Sequence, residues 1–331
     1  MAKACYVGVD GKARKVKKIY TGVSNVARKV KKGYVGVGGV ARPFYSAEPV
    51  LAYYGTATGL SVARNYLVAT TVGNHALFGG GLTAPADIGS GDVVGTADAY
   101  SDTLVHSTPT ALSESRAELA AATVGNYALF GGGRLNRGNS ATVDAYSSTL
   151  VRSTPTALNS ARSGLHATTV GNYALFGGGT TLIDAYSNTL VHSTPNGFGS
   201  TRYDYAATTV GNYALFGGGE KYIGGEFVPY ASVDAYSETL VRSTPTALIS
   251  ERSRLAAAAV GNFALFGGGA ASSYPLVTVD AYSNTLVRST PTEMSEPHYQ
   301  FEATTVGNYA LFGGGYGKSD YTSVVDVYTV T

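Results

Sequence analysis

Short apolar runs alternate with tight turns along most of the chain. In one copy the run Leu119–Val124 is followed by Gly125 and Asn126, and then by a second run, Tyr127–Phe130, that leads into three glycines. Gly-Asn favours a two-residue hairpin turn because both residues tolerate positive φ. The pattern therefore predicts a β-hairpin at each copy of this phrase. The copies begin at Gly73, Gly125, Gly171, Gly211, Gly261 and Gly307.

Two more strands follow each hairpin. The second copy predicts a third strand at Thr142–Tyr146, a polar turn at Ser147 and Ser148, and a fourth strand at Thr149–Ser153. Pro155 ends it, because proline cannot donate to a ladder. The spacings of 52, 46, 40, 50 and 46 residues and four antiparallel strands per repeat indicate the blades of a β-propeller. We expect the glycine triplets to let backbones approach closely near the central axis. A phosphate-binding loop is not expected, because no helix follows them.

The last repeat has no fourth strand of its own, because the sequence stops soon after Val325–Tyr328. Near the front, Leu51–Arg64 aligns with Leu150–Arg162, and in both segments the arginine stands nine residues before Gly-Asn. We therefore expect residues 50–58 to complete the last blade by pairing with Asp326–Tyr328. The prediction is an all-β, six-bladed β-propeller over residues 49–331, closed so that no sheet edge is left open.

The repeat resembles the kelch repeat over roughly residues 50–331. The resemblance lies in Gly-Gly at the end of strand two, Asp-x-Tyr on strand three and an arginine that opens the next blade. The tryptophan usual on strand four is replaced by a leucine. These leucines are Leu104, Leu150, Leu190, Leu240 and Leu286. Kelch propellers include enzymes and binding modules, so the resemblance implies the fold without choosing the function.

Composition narrows the classes of protein. Of the 331 residues, 43 are glycine, 25 are tyrosine and only 14% are charged, which suits strands and turns better than helices. The single cysteine, Cys5, excludes an intrachain disulfide and a cysteine-based zinc site. The first residues lack the apolar stretch of a secretory signal, and no run approaches 18 apolar residues. We expect synthesis in a host cytoplasm and no membrane partner.

Charge separates a basic N-terminal arm, residues 1–48, from the rest. The arm has eleven Lys or Arg and two acidic residues, giving +9, which leaves −7 for the remainder of the net +2. Three similar units, Tyr6–Arg14, Tyr20–Arg28 and Tyr34–Arg42, carry Asp-Gly, Ser-Asn and Gly-Gly turn pairs. They predict a meander of three hairpins. A sheet this thin buries little area alone, so the arm is expected to be a docking element.

The tandem text Tyr-x-Gly-Val-x-x-x-Ala-Arg-x-x-x-Lys is similar to N-terminal segments of tail or other structural proteins of bacteriophages of Gram-positive hosts. This resemblance implies attachment to other virion proteins through the arm, outward display of the propeller, and oligomerisation in the assembled particle. The expected docking residues are Tyr6, Arg14, Lys17, Tyr20, Arg28, Lys31, Tyr34 and Arg42. The basic runs also suit nucleic acid, a less favoured partner, or a solvated face.

Ligands are expected at one end of the propeller. The 1–2 and 3–4 turns share a uniform end, whereas the 2–3 loops and the connectors between repeats share a variable end, where binding loops are usually placed. The variable loops carry Tyr222, Phe227, Tyr230, Tyr274, Tyr316 and Tyr321. The candidate ligand-binding residues, most of them on the connectors, are Arg64, Tyr66, Arg116, Arg162, His166, Arg202, Tyr203, Tyr205, Arg252, Arg254, His298 and Tyr299.

Five of these arginines, with His298 in the sixth place, occupy equivalent positions in the repeats. One interpretation is an anion site at the channel mouth, for a sialic acid, a phosphate or a teichoic acid. The other, which the repetition favours, is a structural hydrogen bond made to a neighbouring blade in each repeat. The aspartates of the third strands, from Asp98 to Asp326, are interpreted as structural in the same way.

Catalytic chemistry is not apparent in the sequence. The five histidines lack metal-ligand spacing and no Gly-x-Ser-x-Gly elbow is present, so no catalytic residue, metal or cofactor is expected. The sequence favours a non-enzymatic virion structural or receptor-binding protein that binds host glycan or protein. The alternative is a carbohydrate-active enzyme, sialidase- or epimerase-like, with two carboxylates on the variable loops. A structural decoration without a ligand also stays open.

Overall fold

The computed structural model describes residues 6–9, 12–15, 20–23, 26–29, 32–37, 40–46, 56–83, 92–272, 274–317 and 320–330. The chain divides into two compact units, Met1–Thr56 and Ala57–Thr331. The described residues contain no helix long and apolar enough to cross a membrane.

The first unit contains three separate two-stranded antiparallel sheets. They pair β1 (Tyr6–Val9) with β2 (Lys12–Lys15), β3 (Tyr20–Val23) with β4 (Val26–Lys29), and β5 (Lys32–Val37) with β6 (Val40–Ser46). Six of the eight expected docking residues lie on these strands, one on each. The other two, Lys17 and Lys31, lie outside the described residues. The predicted docking role of this unit stays a prediction.

The second unit repeats one antiparallel sheet along the chain. Sheet 1 is β7 (Val68–Val72), β8 (His75–Gly79), β9 (Ala97–Ser101) and β10 (His106–Ser107). Sheet 2 is β11 (Ala120–Val124), β12 (Tyr127–Gly131), β13 (Val143–Ser147) and β14 (Arg152–Ser153). Sheet 3 is β15 (His166–Val170), β16 (Tyr173–Gly177), β17 (Ile183–Ser187) and β18 (His192–Ser193).

Sheets 4 and 5 carry an extra hairpin in the loop between their second and third strands. Sheet 4 is β19 (Ala206–Val210), β20 (Tyr213–Gly217), β23 (Val233–Ser237) and β24 (Arg242–Ser243), with the hairpin β21 (Glu220–Ile223) and β22 (Glu226–Pro229). Sheet 5 is β25 (Ala256–Val260), β26 (Phe263–Gly267), β29 (Val279–Ser283) and β30 (Arg288–Ser289), with the hairpin β27 (Ala270–Ala271) and β28 (Tyr274–Pro275). Sheet 6 has three described strands, β31 (Glu302–Val306), β32 (Tyr309–Gly313) and β33 (Val325–Thr329).

The Gly-Asn turns form as predicted. In sheet 2, Val124 pairs with Tyr127, so the loop has two residues, and Gly125 adopts a φ of +54°. The predicted fourth strand is shorter than expected. It contains only Arg152 and Ser153, because Leu150 has a φ of +62° and belongs to the turn. The equivalent leucines of sheets 1, 3, 4 and 5 share this left-handed conformation, so none of them takes a place on strand four.

The first glycine of the triplet in sheets 1, 2, 4 and 5 has a different role from the one predicted. Gly131 ends a second strand, which is not the strand nearest the central cavity, and a Cβ there would lie 2.9 Å from Cε1 of Phe176 in sheet 3. The glycine thus makes room for an aromatic ring of the neighbouring sheet. The following glycine, Gly132, has a φ of +65°, a left-handed backbone conformation that glycine adopts more readily than other residues.

Each sheet packs against the next through a separate apolar cluster. The cluster between sheets 2 and 3, for example, joins Val143 and Ala145 to Phe176 and Tyr186, all fully buried. Similar clusters join sheets 1 and 2, 3 and 4, 4 and 5, and 5 and 6. Threonine hydroxyls also link the first strands, as where Thr169 Oγ1 donates to the Thr123 carbonyl at 2.7 Å. The second unit is therefore a series of stacked sheets of a propeller-like type.

Sheet 6 differs from the others because part of its surface is uncovered among the described residues. Val306 and Val327 are 61% and 53% exposed, whereas their equivalents Val124 and Ala145 are 1% and 0% exposed. The predicted completing segment, residues 50–58, lies mostly outside the described residues. Its last residue, Thr58, is described and accepts a hydrogen bond from Tyr100 Oη of sheet 1 at 2.7 Å. In sheet 2 the same contact joins Tyr146 to the Thr110 carbonyl.

The packing of the glycines gives a stability prediction. Gly131→Ala places a methyl group against the buried Phe176 ring, so we expect the free energy of unfolding to fall by about 1–3 kcal/mol, the usual cost of overpacking. Urea denaturation measures the change. The control is Gly59→Ala, where a Cβ has no atom within 4 Å, and it should stay within about 0.5 kcal/mol of the parent. Equal effects of the two substitutions would contradict the packing argument.

Candidate functional site

The repeated arginine is buried and paired with the aspartate on the third strand of the sheet that it precedes. In sheet 2, Arg116 Nη2 lies 2.6 Å from Asp144 Oδ2, and both side chains are inaccessible to solvent. Arg116 also donates to the Phe130 carbonyl at 3.0 Å. The ion pair therefore ties the incoming connector to the second and third strands. Burial lowers the pKa of Arg116, and the charges of Asp144 and Glu114 oppose this shift.

The same pair occurs in five sheets. The Arg–Asp distances are 2.7 Å for Arg64–Asp98, 2.6 Å for Arg116–Asp144, 2.5 Å for Arg162–Asp184, 2.5 Å for Arg202–Asp234 and 2.6 Å for Arg252–Asp280. In sheet 6, His298 stands 3.6 Å from Asp326 and its Nδ1 lies 2.9 Å from the Gly314 carbonyl. Each of these aspartates therefore faces a buried cation, or a histidine, from the connector.

The second carboxylate oxygen of each aspartate is also used. Asp98 Oδ1 accepts the Ser61 backbone N–H at 2.9 Å and lies 2.7 Å from His106 on the fourth strand. Asp234 and Asp280 likewise meet Arg242 and Arg288 of their fourth strands. The guanidinium groups thus do not present a free anion site at a channel mouth. The geometry fits the structural alternative. The side chain of Arg116 bonds to Asp144 of sheet 2, while its backbone carbonyl accepts the Gly81 N–H of sheet 1 at 2.9 Å, so the connector joins neighbouring sheets.

The variable end exposes aromatic rings on three consecutive sheets. On the hairpin of sheet 4, Tyr222 and Phe227 pack at 5.0 Å between centroids and are 60% and 54% exposed. The connector residue Tyr203 meets the Phe227 ring edge-on at 6.1 Å. Sheet 5 adds Tyr274, which is 77% exposed. These rings come from a loop and a connector that pair with each other, since Tyr203 and Glu220 form a β-bridge.

A second aromatic group lies on sheet 6. Tyr299 of the connector stacks on Tyr316 with centroids 5.5 Å apart and planes 25° apart. Tyr316 packs in turn on Tyr321, which is 72% exposed, and donates a 2.5 Å hydrogen bond from its hydroxyl to that of Tyr321. This hydrogen bond raises the pKa of Tyr316. The described loops of sheets 2 and 3, Arg134–Asn139 and Thr180–Leu182, contain no aromatic residue.

The remaining candidate residues occupy different environments. Tyr66 is exposed on the connector of sheet 1, with a φ of +51°. Arg254 is half-buried and pairs with Asp204 at 3.1 Å. Tyr205 is buried and its hydroxyl accepts the His166 backbone N–H at 3.1 Å. Of the predicted set, Tyr203 and Tyr299 therefore pack against exposed rings of the variable end, and Tyr66 is exposed on sheet 1.

The first strands of the sheets line a central cavity. One part, of about 420 Å³, is lined by alanines and threonines of β11, β15, β19, β25 and β31, such as Ala167 and Thr208. Two further parts, of about 370 and 190 Å³, lie at the beginning of these strands. There the lining includes two ionisable residues, His166 and Glu302.

Glu302 was missed by the sequence analysis, although the repeat contained a signal. It stands five residues before the glycine of its Gly-Asn turn, where the other copies have Val68, Ala120, His166, Ala206 and Ala256. Only two copies are polar at this position. Burial raises the pKa of Glu302 and lowers the pKa of His166, whose ring is accessible from the cavity but surrounded by protein.

No protein-family model matches the sequence, and no curated protein matches it. The fold is similar to the solved structure of YjhT, with a TM-score of 0.59 and 12% sequence identity over 82% of this chain and 96% of that chain. At this identity the similarity concerns the fold alone. Fold and comparison together define an all-β protein built from repeated four-stranded antiparallel sheets of the propeller type.

The buried ion pairs predict a large and local loss of stability. Asp144→Asn keeps the shape of the side chain but leaves Arg116 buried without a counter-charge, which costs about 3–5 kcal/mol in comparable pairs. Denaturant unfolding followed by circular dichroism measures the loss. Asp102→Asn, on an exposed turn, is the matched control and should change the free energy of unfolding by less than about 0.5 kcal/mol. A small effect at Asp144 would mean that the pair is not essential.

Asp98 predicts a pH dependence. Its ordinary pKa of 3.8 would be raised by burial, but hydrogen bonds from the Ser61 N–H, His106 and Arg64 lower it to about 2. A lowered pKa contributes stability that is present above about pH 4 and is lost as the pH falls towards 2. We expect Asp98→Asn to remove about 2 kcal/mol of this pH-dependent part. Unfolding measured from pH 6 to pH 2 should show parent and variant converging, and parallel curves would contradict the assignment.

Proposed function

We propose that residues 49–331 form a closed, six-bladed propeller of the kelch type, in which residues 50–58 supply the fourth strand of the last blade. Two observations support this. The packing between successive sheets is repeated five times, and the connector that follows residue 57 contacts sheet 1 as later connectors contact theirs. Closure would cover the exposed surface of sheet 6 and leave no open sheet edge.

Val327 tests closure. In a closed ring it would be buried, as its equivalent Ala145 is, so Val327→Asp should lower the free energy of unfolding by more than about 2 kcal/mol, the cost of a buried unpaired charge being at least that large. In an open arrangement the side chain stays 53% exposed and the substitution should be nearly neutral. Val151→Asp, at a 66% exposed turn position, is the control. Denaturation curves of the three proteins decide between the arrangements.

We further propose that the protein is a non-enzymatic virion structural or receptor-binding protein of a bacteriophage. In this proposal residues 1–48 dock to other virion proteins, and the propeller is displayed for binding to the host surface. Support for this proposal comes from the arm, which resembles segments of phage structural proteins and is basic. The virion context has its own test, since genes for capsid and tail proteins should flank the gene for this chain. Neighbours from an unrelated metabolic operon would contradict it.

The exposed aromatic rings of sheets 4, 5 and 6 are the observation that carries the binding proposal. Tyr222, Phe227, Tyr274 and Tyr321 are all more than half exposed at the variable end of the second unit, although the removal of large aromatic rings from water is favourable. Aromatic side chains stack on the apolar faces of sugars, and tyrosine hydroxyls bond to sugar hydroxyls. We therefore favour a host-surface glycan as the ligand of these rings, over a protein.

Removal of two rings tests this binding surface. The double variant Tyr222→Ala, Phe227→Ala should bind bacterial surface glycans on an array at least about tenfold more weakly, because truncating a central aromatic residue commonly costs 2 kcal/mol or more. The matched control, Val151→Ala with Val241→Ala, removes exposed apolar side chains at the uniform end and should bind like the parent. Unchanged glycan binding by the aromatic variant would overturn the proposal. Loss of cell adsorption without any glycan binding would indicate a protein receptor instead.

A further inference from the structure

Two ionisable side chains face a cavity that is otherwise lined by apolar residues at this level. His166 begins β15 and Glu302 begins β31, and the equivalent residues of the other first strands are valine or alanine. The part of about 370 Å³ is lined by first-strand residues of sheets 1, 2 and 3 together with Glu302. The part of about 190 Å³ is lined by residues of sheets 4, 5 and 6 together with His166.

These two residues are the ones that line both parts of the cavity. They come from the third and the sixth sheet of the series, so they approach the cavity from opposite sides and mark the boundary between its two parts. Within the residues that the structure describes, neither a hydrogen bond nor an ion pair joins the two side chains. The His166 ring packs against Tyr205, with 4.6 Å between centroids, and this contact fixes its side of the cavity.

The charged groups nearby are already paired, with the exception of Glu302. On the connectors, Arg254 pairs with Asp204 at 3.1 Å. The connector residue Glu118 pairs with Arg134 of the sheet 2 loop at 3.2 Å. The repeated connector arginines are buried against their aspartates, as described above. Among the described residues no cation lies within ion-pair distance of the Glu302 carboxylate. The unpaired charge of this part of the cavity is therefore negative.

We propose that the space between His166 and Glu302 is a binding site for a small ligand with a cationic amino group, with Glu302 as its counter-ion. An ammonium group would supply the missing partner of a carboxylate in partly dehydrated surroundings, where a charge-assisted hydrogen bond is strong. Burial raises the pKa of Glu302, and burial lowers the pKa of His166, which favours the neutral imidazole and so reduces repulsion of a cation. An anion, by contrast, would meet the carboxylate.

The size of the cavity limits the ligand to a small molecule. A volume of about 370 Å³ is at the lower end of the range for ligand pockets, which suits a single sugar ring or a molecule of similar size. An amino sugar is thus a suitable probe. This inference does not depend on the aromatic surface of the variable end, because none of the exposed rings of sheets 4 to 6 lines the cavity.

Three sugars of nearly equal size and different charge test the site on the full-length protein. Glucosamine is a cation at about pH 6.5, glucose is neutral and glucuronate is an anion. Calorimetry and the NMR signals of the His166 ring should show glucosamine binding at least about tenfold more tightly than the other two, as one charge-assisted bond of 1.4 kcal/mol or more implies. Equal binding of the three, tighter binding of glucuronate, or no binding of glucosamine would overturn the proposal.

Glu302→Gln removes the charge and keeps the shape. It should weaken glucosamine at least about tenfold while leaving glucose unchanged, and an unchanged unfolding midpoint shows that the variant is folded. The control Glu238→Gln removes one negative charge on an exposed turn at the uniform end and should bind glucosamine like the parent. The same loss in both variants would show a general charge effect and overturn the site. The Tyr222 and Phe227 variants should keep glucosamine binding, so this proposal and the proposed function can fail separately.

Discussion

A buried aspartate on the third strand organises each of the first five sheets. It receives a guanidinium from the incoming connector, and in most sheets a backbone N–H from the same connector and a basic side chain from the fourth strand. One carboxylate therefore holds together the third strand, the fourth strand and the connector, which lies more than twenty residues earlier in the chain. Because a buried charge without a partner is costly, the connector can adopt only a path that brings its arginine to this point. That path also sets where the variable loops begin.

This constraint explains why the repeated arginines are unsuitable as an anion site. Their charge is used inside the sheet, and the side chains of Arg116, Arg162, Arg202 and Arg252 are fully buried. The exposed side chains of the variable end come instead from the loops of sheets 4, 5 and 6, which carry tyrosines outside the repeated pattern. The first strands that line the cavity carry mostly small apolar side chains. A single histidine and a single glutamate are therefore the ionisable residues of the lining.

Much of this architecture could be predicted from the sequence because it is periodic. The phrase around Gly125 and Asn126 predicted a hairpin that the structure contains, and the alternation of strands and turns gave the antiparallel order of each sheet. Errors arose at positions whose role depends on backbone conformation or on a neighbouring sheet. Leu150 looked like a strand residue, but the turn needs it at positive φ. Gly131 looked like a residue of the central axis, but it makes room for Phe176 of the next sheet.

The sequence by itself determined the number of repeats, the class of fold, the uniform and variable ends, and the separation of a basic arm from a slightly acidic remainder, since all of these depend on local patterns and on counting. The tertiary structure alone decided which repeated polar residues are consumed in buried pairs and which remain available. Arg116 and Tyr66 are both connector residues, but one is buried against Asp144 and the other is exposed. Likewise, Glu302 and His166 lie more than a hundred positions apart in the sequence, and only the stacking of the sheets brings them to the same cavity.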